Sequence, residues 1–251
     1  MSASDRRLSI IVPTLNEAEN VAPLVAQVVA TGVPLLEIIF VDDRSTDGTQ
    51  QIIRSLAGAN AIRLLEREPG EIGLAGAIMT GATAAQGEYL LVMDADLSHP
   101  PDRIVDLLAP LLAGTADMVI GSRYVPGGST PGWPLWRRTL SRIAAAIAYP
   151  ITGVHDSMCG FFAIRRHRLL ELAPNTHGFK IAFETISRAH GDLRVIEIPI
   201  VFRDRTLGRS KMSGGIALQF FWQWLRAISY RVPPRNKVRD VRINQPPQAQ
   251  G

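Results

Sequence analysis

Two aspartates two positions apart, Asp94 and Asp96, close the apolar run Tyr89-Leu-Leu-Val-Met93. At the end of a buried strand such a pair can turn both carboxylates into one crevice. Hard divalent cations take oxygen ligands, and Mg²⁺ commonly keeps one or two carboxylates plus substrate phosphates and water. A cation held that way neutralises a departing diphosphate. The same residues also read as a turn at Asp94 and an N-cap at Asp96, ahead of a helix over 101–112. Cations supply the second signal. The chain has 24 Arg and only three Lys: Lys180, Lys211 and Lys237. Where Arg is the default, a retained Lys offers the compact point charge that suits a phosphate. Three lysines could equally persist by chance.

Two nucleotide fingerprints are missing. No Gly-x-Gly-x-x-Gly follows the first apolar run; the residues there are Pro13-Thr-Leu-Asn-Glu17. Gly70, Gly73 and Gly76 recur at the wrong spacing, and no Gly-x-x-x-x-Gly-Lys-Ser/Thr is present. Dehydrogenase and P-loop readings both fall.

The elements that must position these residues are short strands alternating with helices. Apolar runs at 8–12, 37–41, 89–93 and 117–120 read as buried strands, and 19–30, 49–57 and 75–85 as helices. This alternation argues an α/β sheet covered on both faces. Polar residues gather where the strands end: Thr14, Asn16 and Glu17; Asp42 and Asp43; Asp94 and Asp96; Arg123. Open α/β sheets bind ligands outside those carboxyl ends. Any one of these residues alone would pass for a turn or cap.

With 251 residues, 46% apolar content and no flexible linker in the first 200 residues, the expectation is one large domain with a substantial core. The lone Cys159 cannot form an internal disulfide. No run of about 18 uninterrupted apolar residues suggests a membrane span, and the N-terminus lacks a signal-peptide pattern. A cytoplasmic chain is expected. The net charge of +4 hides an asymmetry, because residues 203–242 carry ten basic against two acidic side chains. A basic segment implies an anionic partner. Nucleic acid is set aside, since no aromatic platform on a strand accompanies the charge.

Val12-Pro-Thr-Leu-Asn-Glu17, Phe40-Val-Asp-Asp-Arg-Ser-Thr-Asp-Gly-Thr49 and Met93-Asp-Ala-Asp-Leu-Ser-His-Pro-Pro101 resemble family 2 glycosyltransferases of the GT-A fold. Gly121-Ser-Arg-Tyr124, Trp136-Arg-Arg-Thr-Leu-Ser141, Asp156-Ser-Met-Cys-Gly-Phe-Phe162, Gly178-Phe-Lys180 and Phe202-Arg-Asp-Arg-Thr-Leu-Gly-Arg-Ser-Lys211 resemble its polyprenyl-phosphate (dolichyl-phosphate) mannosyltransferase subgroup. The resemblance implies a Rossmann-like mixed, mostly parallel sheet with helices on both faces. It implies inverting transfer of mannose from GDP-mannose to a polyprenyl phosphate, with Mg²⁺ or Mn²⁺ as cofactor. Pro13, Leu15 and Glu17 would line the nucleotide site, with Val41 and Asp43 facing base and ribose. Asp94, Ala95 and Asp96 would hold diphosphate and metal, and Ser98 would complete the metal shell. Arg123, Arg205 and Lys211 match positions that contact donor or acceptor phosphates. Arg137 and Ser141 match an acceptor-phosphate pair, and Lys180 a further charged contact. Cys159 stands where relatives often carry Ser, and reads as a small residue rather than a nucleophile. UDP-glucose or a UDP-N-acetylhexosamine with the same acceptor is the enzyme alternative. A binding module without turnover is the other.

The chemistry reads the same way without the resemblance. Transfer to a hydroxyl needs a general base, usually a carboxylate. A phosphate monoester is already anionic at pH 7 and needs none. Its need is for cations that hold two phosphates together, which is a positioning and electrostatic task. Asp156 is the fallback base if the acceptor is a hydroxyl; otherwise it orients an arginine.

The expected organisation is a catalytic domain over 1–213, an amphipathic interfacial helix over 214–231 and a basic flexible tail over 232–251. In the helix, Gln219, Gln223 and Arg226 form one polar stripe amid Phe220, Phe221, Trp222, Trp224 and Leu225. That pattern suits an anionic membrane surface. A second interfacial candidate is 138–149, with Leu140, Ile143 and Ile147 aligned. Both could instead be core or oligomer-contact helices. The placement expected is peripheral, on the inner (cytoplasmic) membrane face, with a membrane-anchoring partner or homo-oligomer as an open addition.

Overall fold

The computed structural model describes residues 7–58, 61–68, 73–174, 180–204 and 242–243. The expected apolar runs form β1 (Leu8–Thr14), β2 (Leu35–Asp42), β4 (Tyr89–Val92) and β5 (Met118–Ser122). Three further strands are β3 (Ile62–Glu66), β6 (Phe162–Arg165) and β7 (Val195–Pro199). Their runs are short and broken by Arg63, Glu66, Arg165 and Glu197, so apolar patterning alone hides them. Two residues of the expected tail form β8 (Arg242–Ile243); the expected helix over 214–231 lies outside the described residues.

The sheet order is β3-β2-β1-β4-β6-β5-β7-β8. All neighbours are parallel except β6, which runs antiparallel to both β4 and β5. The mixed, mostly parallel sheet expected from the resemblance is therefore present. Every residue of β4, β5 and β7 is buried, as is all of β1 except a half-buried Pro13. Strands buried along their whole length have both faces covered. The helices are α1 (Ala18–Ala30), α2 (Thr49–Ala57), α3 (Leu74–Ala84), α4 (Ile104–Leu112), α5 (Leu135–Thr152), α6 (Arg166–Leu172) and α7 (Ile181–Arg188).

The 101–112 helix begins differently from its sequence reading. A 3-10 turn, Pro101–Arg103, precedes α4 and has Pro100 at its N-cap. Asp96 is therefore not the cap; its Oδ1 accepts the Ser98 amide at 3.1 Å inside the loop after β4.

A buried polar knot locks the amino ends of the first three strands. Glu37 accepts from Ser9 Oγ (2.7 Å), the Gln86 amide (2.7 Å) and Arg63 Nη1 (2.6 Å). Burial alone would raise the Glu37 pKa, but these donors outweigh it and hold the carboxyl below its usual range. Arg63 also reaches the Ala84 carbonyl at the end of α3 (2.9 Å). With this end tied down, the carboxyl ends are left to loops.

Helix α3 lies directly on β1 and β2 because Gly81 has no side chain. A Cβ there would sit 2.7 Å from Ile11 Cγ2 and 3.1 Å from Val41 Cγ2. Both neighbours are fully buried and cannot retreat. Gly81→Val should lower stability by about 1–3 kcal/mol, read from the urea midpoint; an unchanged midpoint would contradict this packing.

Candidate active site

Chain order reverses at β1, since β2 and β3 lie to one side and β4 to the other. Such a switch point opens a crevice at the carboxyl ends. The predicted residues of the β1, β2 and β4 ends, 13–17, 41–43 and 94–98, converge on it.

On the β1–β2 side, two loops are stitched together. Asn16, in the left-handed region at φ 54°, donates its amide to Ser45 Oγ (2.8 Å) and accepts the Thr46 amide on Oδ1 (2.8 Å). The Glu17 amide donates to Thr49 Oγ1 (2.9 Å), and the Glu17 carboxylate accepts from Asn20 (2.7 Å). Asp47 accepts the Ala18 amide (3.1 Å). Asp42 turns inward to Ser45 and Gln50, whereas Asp43 accepts from Arg67 Nη1 at 2.6 Å. Arg67 is nearly fully buried and also donates to the Gly73 carbonyl (3.1 Å). Gly76 makes room for it, because a Cβ there would lie 2.5 Å from Arg67 Nη2. Sequence reasoning missed Arg67; its signal was a lone cation just past an apolar run that went unread as a strand.

On the β4 side, Asp94 is part-exposed, while Ala95, Asp96 and Ser98 are buried. The Asp94 amide donates to His99 Nδ1 at 3.0 Å, so the His99 proton sits on Nε2. Burial holds the His99 pKa below normal, which leaves a neutral ring 3.9 Å from the Asp94 carboxylate and no ion pair. Among the described residues no three His, Cys, Asp or Glu side chains cluster as a metal site. Two carboxylates still match a hard cation that takes its remaining ligands from a diphosphate and water. Ser98 Oγ is buried without a hydrogen-bond partner, an orphaned oxygen where such a cation would find a third protein ligand.

Opposite these loops stands the cationic wall. Arg123 donates Nε and Nη2 to Asp156 Oδ2 and Oδ1, both at 2.8 Å, and its amide also donates to Oδ2 (2.9 Å). Asp156 has no exposed surface. Its own amide donates to the buried Glu197 (3.0 Å), which also accepts the amide and Nδ1 of His155. Burial alone would lower the Arg123 pKa; the Asp156 carboxylate overrides this and pins the guanidinium in its charged form. Tyr124, Trp133 and Phe202 enclose that guanidinium, with ring centroids 5.2–5.6 Å from its central carbon.

Arg137 and Ser141 lie on the inner stripe of α5. Arg137 stacks on Trp133 at 4.0 Å and donates to Asp204 (2.7 Å), while Ser141 accepts from the Tyr124 hydroxyl. Lys180 donates Nζ to the Met158 carbonyl at 3.2 Å. Desolvation and the neighbouring Arg123 pull its pKa below the ordinary lysine value. Burial pushes the Cys159 thiol up to about 12, so it carries no thiolate at neutral pH. Arg203, whose amide donates to the Ser98 carbonyl (3.2 Å), brings the chain back to the site. Arg205 and Lys211 lie outside the described residues.

Among the described residues the outer face of α5 is apolar and exposed. Leu135 is 77% exposed and Trp136 66%, and Leu140, Ile143 and Ile147 follow on the same side. Among the described residues only Ala145, Ala148 and Thr152 of α5 are buried. No helix among the described residues is long and apolar enough to cross a membrane.

The family model for glycosyl transferase family 2 matches residues 9–185, and the chain belongs to that family. It is 38% identical over 244 residues to the dolichol-phosphate mannosyltransferase of Saccharomyces cerevisiae, across 92% of this chain and 90% of that one. It is 39% identical over 219 residues to the polyprenol monophosphomannose synthase of Mycolicibacterium smegmatis, across 83% and 82%. Among solved structures it resembles glucosyl-3-phosphoglycerate synthase from Mycobacterium tuberculosis, crystallised with Mn²⁺, UDP-glucose and phosphoglyceric acid. The TM-score is 0.69 at 18% identity, covering 90% of this chain and 81% of that one. This last likeness bears on the fold, which is the α/β architecture of a glycosyltransferase.

Proposed function

We propose that the chain transfers mannose from GDP-mannose to a polyprenyl phosphate with inversion, as a peripheral enzyme at a membrane face. The observation that carries this reading is the state of Asp156. Both its oxygens are engaged by Arg123, and it is fully buried. It is a positioning group for a cation, not a base that could take a proton from an incoming hydroxyl. An acceptor that arrives ionised fits this site, and a phosphate monoester, with its second pKa near 6, is such an acceptor. The relatives named for mannose transfer to dolichol phosphate and polyprenol phosphate support the same acceptor.

In the reaction, an acceptor phosphate oxygen attacks the anomeric carbon from the face opposite the nucleoside diphosphate. One C–O bond forms as the other breaks, and no proton moves. The obstacle is repulsion: two like charges about 5 Å apart at an effective dielectric of about 20 oppose each other by about 3 kcal/mol. Arg123, Arg137 and Lys180 supply fixed opposing charge, and we assign Arg205 and Lys211 to the same task. Ser141 donates to the acceptor phosphate. Pro13, Leu15, Glu17 and Asp43 line the nucleoside side, with Val41 fully buried behind them against α3 and Arg67 holding Asp43 in place. A divalent cation, Mg²⁺ or Mn²⁺, would be held by Asp94, Asp96 and Ser98 beside Ala95, and when bound it supplies charge neutralisation to the departing diphosphate.

The α5 helix supplies the route to a lipid acceptor. Its outer face presents five large apolar side chains, Arg138 and Arg142 flank them, and the helix contains no acidic residue. Such a helix lies in a bilayer interface, where each Arg near an anionic surface adds about 1 kcal/mol. Its inner stripe then presents Arg137 and Ser141 at headgroup level.

With polyprenyl phosphate and Mg²⁺ or Mn²⁺, radiolabel from GDP-mannose should enter the organic phase, and label from UDP-glucose or UDP-N-acetylglucosamine should not. Asp96→Ala should cut transfer by at least about 100-fold (about 2.7 kcal/mol) with an unchanged circular dichroism spectrum. Lipid label from a UDP sugar would overturn the donor, and undiminished transfer by Asp96→Ala would overturn the diphosphate site. The double variant Leu140→Asn/Ile143→Asn should bind anionic vesicles at least about tenfold more weakly; unchanged sedimentation with vesicles would remove α5 from the membrane.

A further inference from the structure

Trp133 enters none of the roles assigned above, yet two of the site's guanidiniums lie on its ring. It precedes α5, is 8% exposed, and has Arg137 at 4.0 Å and Arg123 at 5.5 Å from its ring centroid. Phe202 meets it edge-on at 5.4 Å, and Phe202 in turn meets His99 edge-on at 5.4 Å. His99 accepts the Asp94 amide. One packed aromatic row therefore runs from the arginine pair to the first aspartate of the Asp94–Asp96 loop.

We propose that Trp133 is a positioning residue for the transfer: its ring fixes Arg137 beside Arg123, and so sets the separation of acceptor and donor phosphates. The inference rests on the mannosyl-transfer reading of those two arginines. Arg123 is already held by Asp156 from three donors. Among the described residues Arg137 has no such anchor. Its carboxylate partner Asp204 is 43% exposed, and an ion pair open to water holds a long side chain weakly. The desolvated indole face is what keeps the Arg137 guanidinium directed inward, and Trp is the aromatic residue that holds a cation best.

The indole N–H argues that the residue is not a simple core filler. Trp133 Nε1 is buried and has no acceptor among the described residues. Leaving that donor unpaired is unfavourable, and Phe or Leu would fill the volume without it. Trp at this position makes sense where its stronger cation-holding face is used.

The test is the KM for polyprenyl phosphate measured beside the calorimetric affinity for GDP-mannose, in Trp133→Leu, Trp133→Phe, Arg137→Ala and the double variants. Trp133→Leu should raise that KM about tenfold while GDP-mannose affinity stays within about twofold. Trp133→Phe, which keeps a ring, should recover most of the loss. In the Arg137→Ala background Trp133→Leu should add little, because the two act as one unit. An unchanged KM, parallel weakening of both substrates, no recovery by Phe, or full additivity with Arg137→Ala would each overturn the proposal. If Trp133→Leu does not fold, the cycle is run with Trp133→Phe, whose smaller rise in KM must vanish without Arg137. A wild-type chain that leaves polyprenyl phosphate unlabelled would instead overturn the functional reading on which this rests.

Discussion

Arg123 and Asp156 form a doubly hydrogen-bonded ion pair in which the carboxylate is wholly shielded from water. Neither charge tolerates burial alone, and removing one partner of such a pair costs about 3–5 kcal/mol. The pair therefore fixes two distant stretches of chain, the end of β5 and the loop after α5, in one arrangement. Glu197 extends the constraint inward by accepting the Asp156 amide from the middle of β7. The wall of cations is built on that pillar, and the aromatic side chains around Arg123 pack against it.

The same pair underlies the chemistry proposed for the crevice. A carboxylate spent on an arginine is poorly placed for proton transfer, and in the proposed reaction the acceptor brings its own negative charge. In that proposed reaction the cations do two jobs: they attract an anionic acceptor, and they offset its repulsion by the donor diphosphate. Under the same proposal, Arg137 and Ser141 on the inner stripe of a helix whose outer face is apolar would link that attraction to a lipid interface, and the two sides of α5 would serve one substrate with a charged head and an oily chain.

Much of this arrangement was legible in the residues. The apolar runs ending in Thr14, Asp42, Asp94 and Arg123 marked four strands and the sheet edge where the site lies. The helices over 19–30, 49–57 and 75–85 matched α1, α2 and α3 to within one residue at each end. What stayed hidden was set by tertiary contacts. Strand β7 carries Glu197 in its centre, a charge that reads as solvent-facing until the His155–Asp156 amides are seen to satisfy it. Arg67 and Trp133 act through partners far away in sequence, and no local pattern exposes such pairings. Asp96 reads equally well as a helix cap, and only the observed loop, in which it accepts the Ser98 amide while Pro100 takes the cap position, removes that reading.

The proposed transfer needs an acceptor that is ionised before it binds, with the Asp156 carboxylate serving Arg123 alone. The most direct measurement compares mannose transfer from GDP-mannose to polyprenyl phosphate and to free polyprenol across pH, in the wild type and in Asp156→Asn. The account predicts product from the phosphate only, with Asp156→Asn depressing the rate by a similar factor at every pH above the acceptor's second ionisation. Transfer to the free alcohol, with a basic limb in the pH profile that disappears in Asp156→Asn, would make Asp156 the base and contradict it.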